Sequence, residues 1–391
     1  MKSLRHAVAV LVPAVAAAAA VAAAGVALTL ARRVVTPGKR VPDTRILAVD
    51  TGAQTIELTR TLDTELPGRY GLFTTGTYGY VKLGAVLSAD ARAVRRKLLT
   101  QVETGARIDA DAIFSGMYYT APAELHLPWE TVRIGSPAGP CPAWLFAASG
   151  DTWGVQVHGR GVTRAECLRA VPVFHALGMP TLVVSYRNDG EGPRTRAGAY
   201  ALGAAEWRDV DAAIGHALRH GARRVVLMGW SMGGAISLQT AVNSRHREAI
   251  AGLVLDSPVV DWRSVLRFQA GEVGVREPIT GIAMSALEKG WSARLSGADH
   301  AIDLDALDMV SRADELDVPV LILHSDDDGY VPADASHALA EARPDIVTMP
   351  RITGARHTKL WNHDQTSWTA RITDWVRDHG FAAASDDEGR S

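Results

Sequence analysis

Cysteine is nearly missing from this chain, with Cys141 and Cys167 the only two among 391 residues. So few thiols exclude a disulfide-stapled scaffold and a cysteine-based zinc site, which leaves both as ordinary buried thiols. A surplus of one charge is missing too. Lys and Arg number 41 against 43 Asp and Glu, a formal net charge of −2, with the signs mixed along the sequence. Without a basic face or stripe there is no footprint for a nucleic-acid partner. His216 and His220 stand four apart on a helical pattern but lack the Glu of a zinc-binding H-E-x-x-H, so they read as surface residues. His363 falls inside the closing helical pattern and reads as packing. Neither a metal nor an organic cofactor is implied.

What is present begins with Ala7 to Ala31, almost wholly apolar and flanked by Lys2, Arg5, Arg32 and Arg33. At about 1.5 Å per residue such a helix can cross the ~30 Å hydrocarbon layer. Residues 1–35 are therefore expected to be a transmembrane anchor. A cleaved signal sequence, and hence a secreted protein, is the rival reading. The flanking charges leave the side of the membrane open. Thr36 to Asp43 reads as a linker punctuated by two prolines and a glycine. Alternation around Thr51-Gly-Ala-Gln54 predicts a hairpin, and further strand-like pieces make residues 41–128 a small β-rich accessory domain.

From Thr131 strand and helix signals alternate through residue 381, which predicts right-handed crossovers and a mostly parallel central sheet covered by helices on both faces. The alternation lapses over about 257–314, where helical spacing predicts a short cap over the carboxyl edge of the sheet. Residues 382–391 are expected to be a disordered tail.

The most informative stretch is Arg223 to Thr240. An apolar strand runs into Gly229-Trp-Ser-Met-Gly233 and a small-residue helix follows. G-x-S-x-G in that setting puts Ser231 on a sharp turn with its hydroxyl exposed and the N–H of Met232 at a helix N-terminus. A serine hydroxyl needs a base, and the base needs an acid to fix its tautomer. His357, on the loop before the closing helix, is the candidate base. Asp328 follows an apolar strand on the loop His324-Ser-Asp-Asp-Asp-Gly, where Asp326 and Asp327 compete for the acid role, as does Asp256 at the end of an earlier strand. His158-Gly-Arg-Gly161 ends another strand, and the N–H of Arg160 is expected to join that of Met232 as an oxyanion donor.

Residues 131–381 resemble the α/β-hydrolase superfamily, through HGRG at 158, GWSMGG at 229, HSDDDGYVP at 324 and the late His357. Ser325 stands where the family usually has glycine, but the spacing puts Asp328 on the family's acid. The resemblance implies a bacterial esterase or acyl-aminopeptidase-like serine hydrolase acting on a small-molecule ester or amide. Acyl transfer by the same triad and a non-catalytic binding protein are the alternatives.

Overall fold

The computed structural model describes residues 21–38 and 40–383. Two bodies are built from strands. In the first, β1 (Thr44–Asp50), β2 (Thr55–Thr59), β3 (Tyr70–Phe73), β4 (Tyr80–Ala89), β5 (Ala93–Leu98) and β6 (Asp111–Ser115) close a barrel in the order β1-β2-β5-β4-β3-β6. Asp50 pairs with Thr55 across the predicted hairpin, and Thr44 with Ala112 closes the barrel. Side chains alternate in and out along a strand. On β5 this buries Val94, Arg96 and Leu98 and exposes Arg95 and Lys97. Inside, Arg96 has no carboxylate partner among the described residues. It donates instead to the carbonyls of Thr64, Leu66, Gly68 and Gly84 at 2.7–3.1 Å and lies 5.1 Å from the Tyr70 ring centre. This one side chain fixes the loop between β2 and β3.

The second body is an eight-stranded sheet. Its strands are β7 (Trp129–Ser136), β8 (Gly139–Phe146), β9 (Thr152–Val157), β10 (Thr181–Val184), β11 (Arg224–Trp230), β12 (Ile250–Asp256), β13 (Val320–Leu323) and β14 (Val347–Thr348), in the order β14-β13-β12-β11-β9-β10-β8-β7. From β10 to β14 neighbours run parallel, and β8 is antiparallel to both β7 and β10. Strands β9, β10 and β13 are buried at every residue, as a parallel sheet covered on both faces requires. One face packs on α3 (Trp207–Arg219) and α4 (Met232–Asn243), the other on α2 (Val171–Ala176) and α10 (Gln365–Asp378). After β12 come α5 (Trp262–Glu272), α6 (Glu277–Glu288) and α7 (Gly290–Ser296).

Several local expectations are corrected. The closing helix is two, α9 (Leu360–His363) and α10, because Asp364 leaves helical geometry and its carboxylate caps the N–H of Ser367 at 3.0 Å. Leu304 to Val310 forms no helix, since Asp303 and Asp308 bind nearby backbone N–H groups as turns. The barrel strands end at Ser115. As expected, Cys141 and Cys167 are buried and unpaired.

Among the described residues no helix is long and apolar enough to cross a membrane. Residues 7–20 of the apolar run expected to form an anchor, and all but the first two residues of the expected tail, lie outside the described residues. Residues 21–35 are helical and are named α1. Its Ala27, Ala31 and Val35, spaced one helical turn apart, are at most 1% exposed and pack into the core shared with α3 and α4. A stripe of alanines suits close packing on protein as well as on lipid. Here it faces protein.

Replacing Arg96 by Met strands four buried carbonyls, each costing about 1 kcal/mol or more when left unsatisfied. Urea unfolding of Arg96→Met should show a loss of roughly 3 kcal/mol or more; an unchanged midpoint would contradict this role.

Candidate active site

Strand β11 ends at Trp230, and α4 begins at Met232, leaving Ser231 alone to make the turn. Its φ of 51° and ψ of −117° are strained for a residue with a side chain. The glycines around it are required by contact. A Cβ on Gly229 would lie 2.3 Å from the Gly233 carbonyl, and one on Gly233 2.1 Å from that of Val157. The turn is held by Ser231 N–H on Asp256 O (3.0 Å) and by Val259 N–H on Ser231 O (3.1 Å).

His357 reaches this serine from the loop after β14. Its Nε2 is 2.9 Å from Ser231 Oγ, and its Nδ1 is 2.7 Å from Asp328 Oδ2. Asp328 sits on the turn after β13, where its Oδ1 accepts the N–H groups of Tyr330 and Val331 at 2.8 and 2.9 Å. Burial works against its charge, but His357 and His324 more than offset this and hold the carboxyl well below the usual carboxylate range. An ionised Asp328 accepts from Nδ1–H, which leaves Nε2 as the acceptor facing the serine hydroxyl.

The other acids lie elsewhere. Asp326 pairs with His337 at 2.8 Å and Arg351 at 3.4 Å. Asp327 accepts the Gly354 N–H at 2.6 Å. Asp256 is fully buried, accepting Trp368 Nε1 and the Ser257 hydroxyl, and burial raises its pKa.

The His158–Gly161 loop runs directly beside the serine, where a Cβ on Gly159 would come within 3.3 Å of Ser231 Cβ. The Gly159 N–H is occupied by Glu166 Oε2 at 2.9 Å. Among the described residues the N–H groups of Arg160 and Met232 donate to no protein acceptor. The Arg160 side chain turns away, to the carbonyls of Arg33, Val34 and Thr36 at the end of α1. His158, stacked on Tyr186 at 4.3 Å, binds Asp189 Oδ2 at 3.0 Å. Asp189 also accepts from Ser185, Tyr186, Glu191 and Gly192. Burial opposes its charge, yet His158 and these donors bring its pKa down to about 2.

Sequence reasoning missed several supports. His324 is fully buried, bound to Ser336 Oγ and Val331 O, with its Nε2 3.3 Å from Asp328 Oδ2. Its position four residues before Asp328 was the available signal. The half-exposed Tyr330 ring lies 5.1 Å from that of His357. Arg169, buried, donates to Glu166 O, Thr358 O and Asn362 Oδ1 and so ties the 164–169 turn, whose Glu166 holds the Gly159 N–H, to the histidine loop.

The barrel grips that same loop from outside. Asp63 lies 3.5 Å from Arg356 and 3.1 Å from Lys359, on either side of His357. Asn362 O accepts the Arg69 N–H, and its Nδ2 donates to the carbonyls of Arg69 and Gly116. Tyr118 and Tyr119 pack on Trp361.

A family model described as "Alpha/beta hydrolase family" matches residues 155–372, more than half of the chain. A domain of unknown function, DUF8805, matches residues 45–115, which hold the barrel strands. An esterase of Pyrococcus furiosus superposes with a TM-score of 0.52 at 16% identity, over 66% of this chain and 93% of its own. An esterase of a Rhodococcus species gives a TM-score of 0.46 at 20% identity, over 64% of this chain and 99% of its own. No curated protein matches the chain.

Asp189 provides a test of the loop's anchoring. Its carboxyl is depressed in the fold, so its stabilisation is present above the unfolded value near 3.9 and is lost as pH falls toward about 2. Asp189→Asn should cost on the order of 2 kcal/mol at pH 7 and flatten the stability curve between pH 4 and 2. Acid titration of the unfolding free energy checks both; an Asn variant with the native pH profile would refute the assignment.

Proposed function

Because this chain belongs to the α/β-hydrolase family, we propose that it hydrolyses a carboxylic ester or amide through an acyl-enzyme on Ser231. The observation that carries this reading is the single imidazole of His357 standing 2.9 Å from the Ser231 hydroxyl and 2.7 Å from Asp328.

In this mechanism Ser231 Oγ attacks the acyl carbon while His357 Nε2 takes its proton. Asp328 holds the imidazolium that forms. The N–H groups of Arg160 and Met232 receive the developing oxyanion, each worth about 3 kcal/mol of barrier. His357 then gives its proton to the departing alcohol or amine. A water repeats the attack on the acyl-serine, losing its proton to His357 and releasing the acid and the free hydroxyl. Every proton taken up is returned, so each turnover consumes only water. Esters are the first substrates to try, since the Pyrococcus furiosus protein of this fold is an esterase.

Ser231→Ala should lower hydrolysis of p-nitrophenyl esters by roughly a thousandfold or more and abolish labelling by a fluorophosphonate, with the circular dichroism spectrum unchanged. Retained turnover by the purified variant would refute the role of the serine. Labelling also separates hydrolysis from a binding-only scaffold, and added alcohols or amines reveal acyl transfer as new ester or amide product.

The grip of Asp63 on the histidine loop supports a positioning role. Asp63→Asn should cut kcat by about tenfold with KM little changed, because small displacements of a reacting group are costly. Steady-state kinetics on a soluble ester measure the split. A change confined to KM would mean that Asp63 acts on binding instead.

A further inference from the structure

The segment after α1 is tied at both ends to walls of the candidate site. At one end the Arg160 guanidinium holds the carbonyls of Arg33, Val34 and Thr36, and Tyr200 N–H donates to Val35 O at 2.8 Å. A Cβ on Gly161 would lie 4.0 Å from Gly38 O, so the segment still borders the glycine loop there. At the other end Asp43 N–H donates to Ala112 O at 3.1 Å, and Asp43 Oδ1 accepts the Phe114 N–H at 2.9 Å. That edge of the barrel leads into Gly116, where a Cβ would meet Thr358 O, next to His357, at 2.8 Å. Residues 36–38 therefore border the loop beside Ser231, and residues 40–43 reach the barrel edge that leads to Thr358 beside His357.

Arg40 lies on this strap. Its Nη1 donates to Ser115 Oγ at 2.8 Å, and among the described residues no carboxylate comes within ion-pair reach of it. The charges that act on it are Glu166 and Arg169, on the turn after the glycine loop, Asp43 at the barrel edge, and Tyr330 on the loop that carries Asp328. Both nearby carboxylates are engaged. Glu166 binds the Gly159 N–H and lies 3.8 Å from Arg169, while Asp43 binds Phe114. Arg40 remains exposed to solvent, yet loss of hydration lowers its pKa.

We propose that Arg40, with Ser115 beside it, binds a carboxylate carried by the substrate, so that the preferred esters are anionic. An arginine fork matches a carboxylate with two parallel hydrogen bonds, and an exposed guanidinium with no carboxylate in ion-pair reach among the described residues has donors free to make them. The idea rests on the hydrolase reading above and adds the substrate class.

Matched esters test it on both sides of the scissile bond. On the acyl side, p-nitrophenyl hydrogen succinate, glutarate and adipate are compared with the p-nitrophenyl esters in which methyl replaces the carboxylate. On the alcohol side, 4-carboxyphenyl acetate is compared with its methyl ester. The readout is the ratio of kcat/KM for the anionic to the neutral member, taken within each protein so that loss of folded enzyme cancels. In at least one pair the native ratio should exceed one, decline with added salt, and fall about tenfold or more in Arg40→Gln. Arg40→Lys should restore part of it. Turnover of the neutral esters with no ratio that responds to Arg40→Gln would overturn the proposal and leave the hydrolase reading standing. Absence of both turnover and fluorophosphonate labelling would overturn the hydrolase reading and this inference with it.

Discussion

The structure depends on one tight constraint, the reversal from strand to helix at a single residue. Ser231 takes a positive φ, and Gly229 and Gly233 admit no Cβ because backbone carbonyls already fill that space. Strain of this kind persists only where the surroundings over-determine it. Here β12 supplies the restraint, through Asp256 O on the Ser231 N–H, and the next loop adds Val259. The sheet is thus less a container for the serine than the device that forces its hydroxyl outward. Neighbouring strand ends then deliver Asp328 and His357 to the same edge, as open parallel sheets do with the loops beyond their carboxyl ends.

A loop delivered to an edge is not yet a loop held in place. β14 has only two residues, which is a weak footing for the segment carrying His357. Two other anchors compensate. Arg169 holds Thr358 and Asn362 from within, and its own turn carries Glu166, whose carboxylate holds the Gly159 N–H, so the glycine loop and the histidine loop share a support. From outside, the barrel contributes Asp63 on two cations and the backbone of Arg69 and Gly116 on Asn362. Asp63 and Arg69 lie on the loop that Arg96 organises from the barrel interior. A buried cation in one body therefore supports the loop that grips the neighbours of His357 in the other.

This division explains what was legible in the sequence. The G-x-S-x-G turn, the apolar strands and the late histidine are local patterns, and local patterns report local geometry. The choice among Asp326, Asp327 and Asp328 was harder to read, since adjacent acids differ only in which way a turn points them. Asp326 turns to His337 and Asp327 to the Gly354 N–H, leaving Asp328 toward His357. Closure of the barrel rests on β1 meeting β6 across more than sixty residues, a pairing that no window of sequence contains. The apolar N-terminal run was ambiguous for another reason. Hydropathy measures aversion to water and does not distinguish lipid from a protein core, so Ala27, Ala31 and Val35 looked alike in both settings.

The docking of α1 bears on how the site is enclosed. Because Arg160 spends its side chain on the end of this helix, the backbone of the glycine loop is fixed by a residue whose own N–H points to no acceptor among the described residues. The same contact fixes where the strap begins, and the barrel edge fixes where it ends. The accessory elements thus contact the loops on both sides of Ser231: the glycine loop through α1 and Arg160, and the histidine loop through Asp63. A fold shared by many hydrolases leaves its substrate undetermined. In this chain the parts outside the shared sheet touch the loops beside Ser231 and around His357, so differences in those parts can act there without altering the sheet.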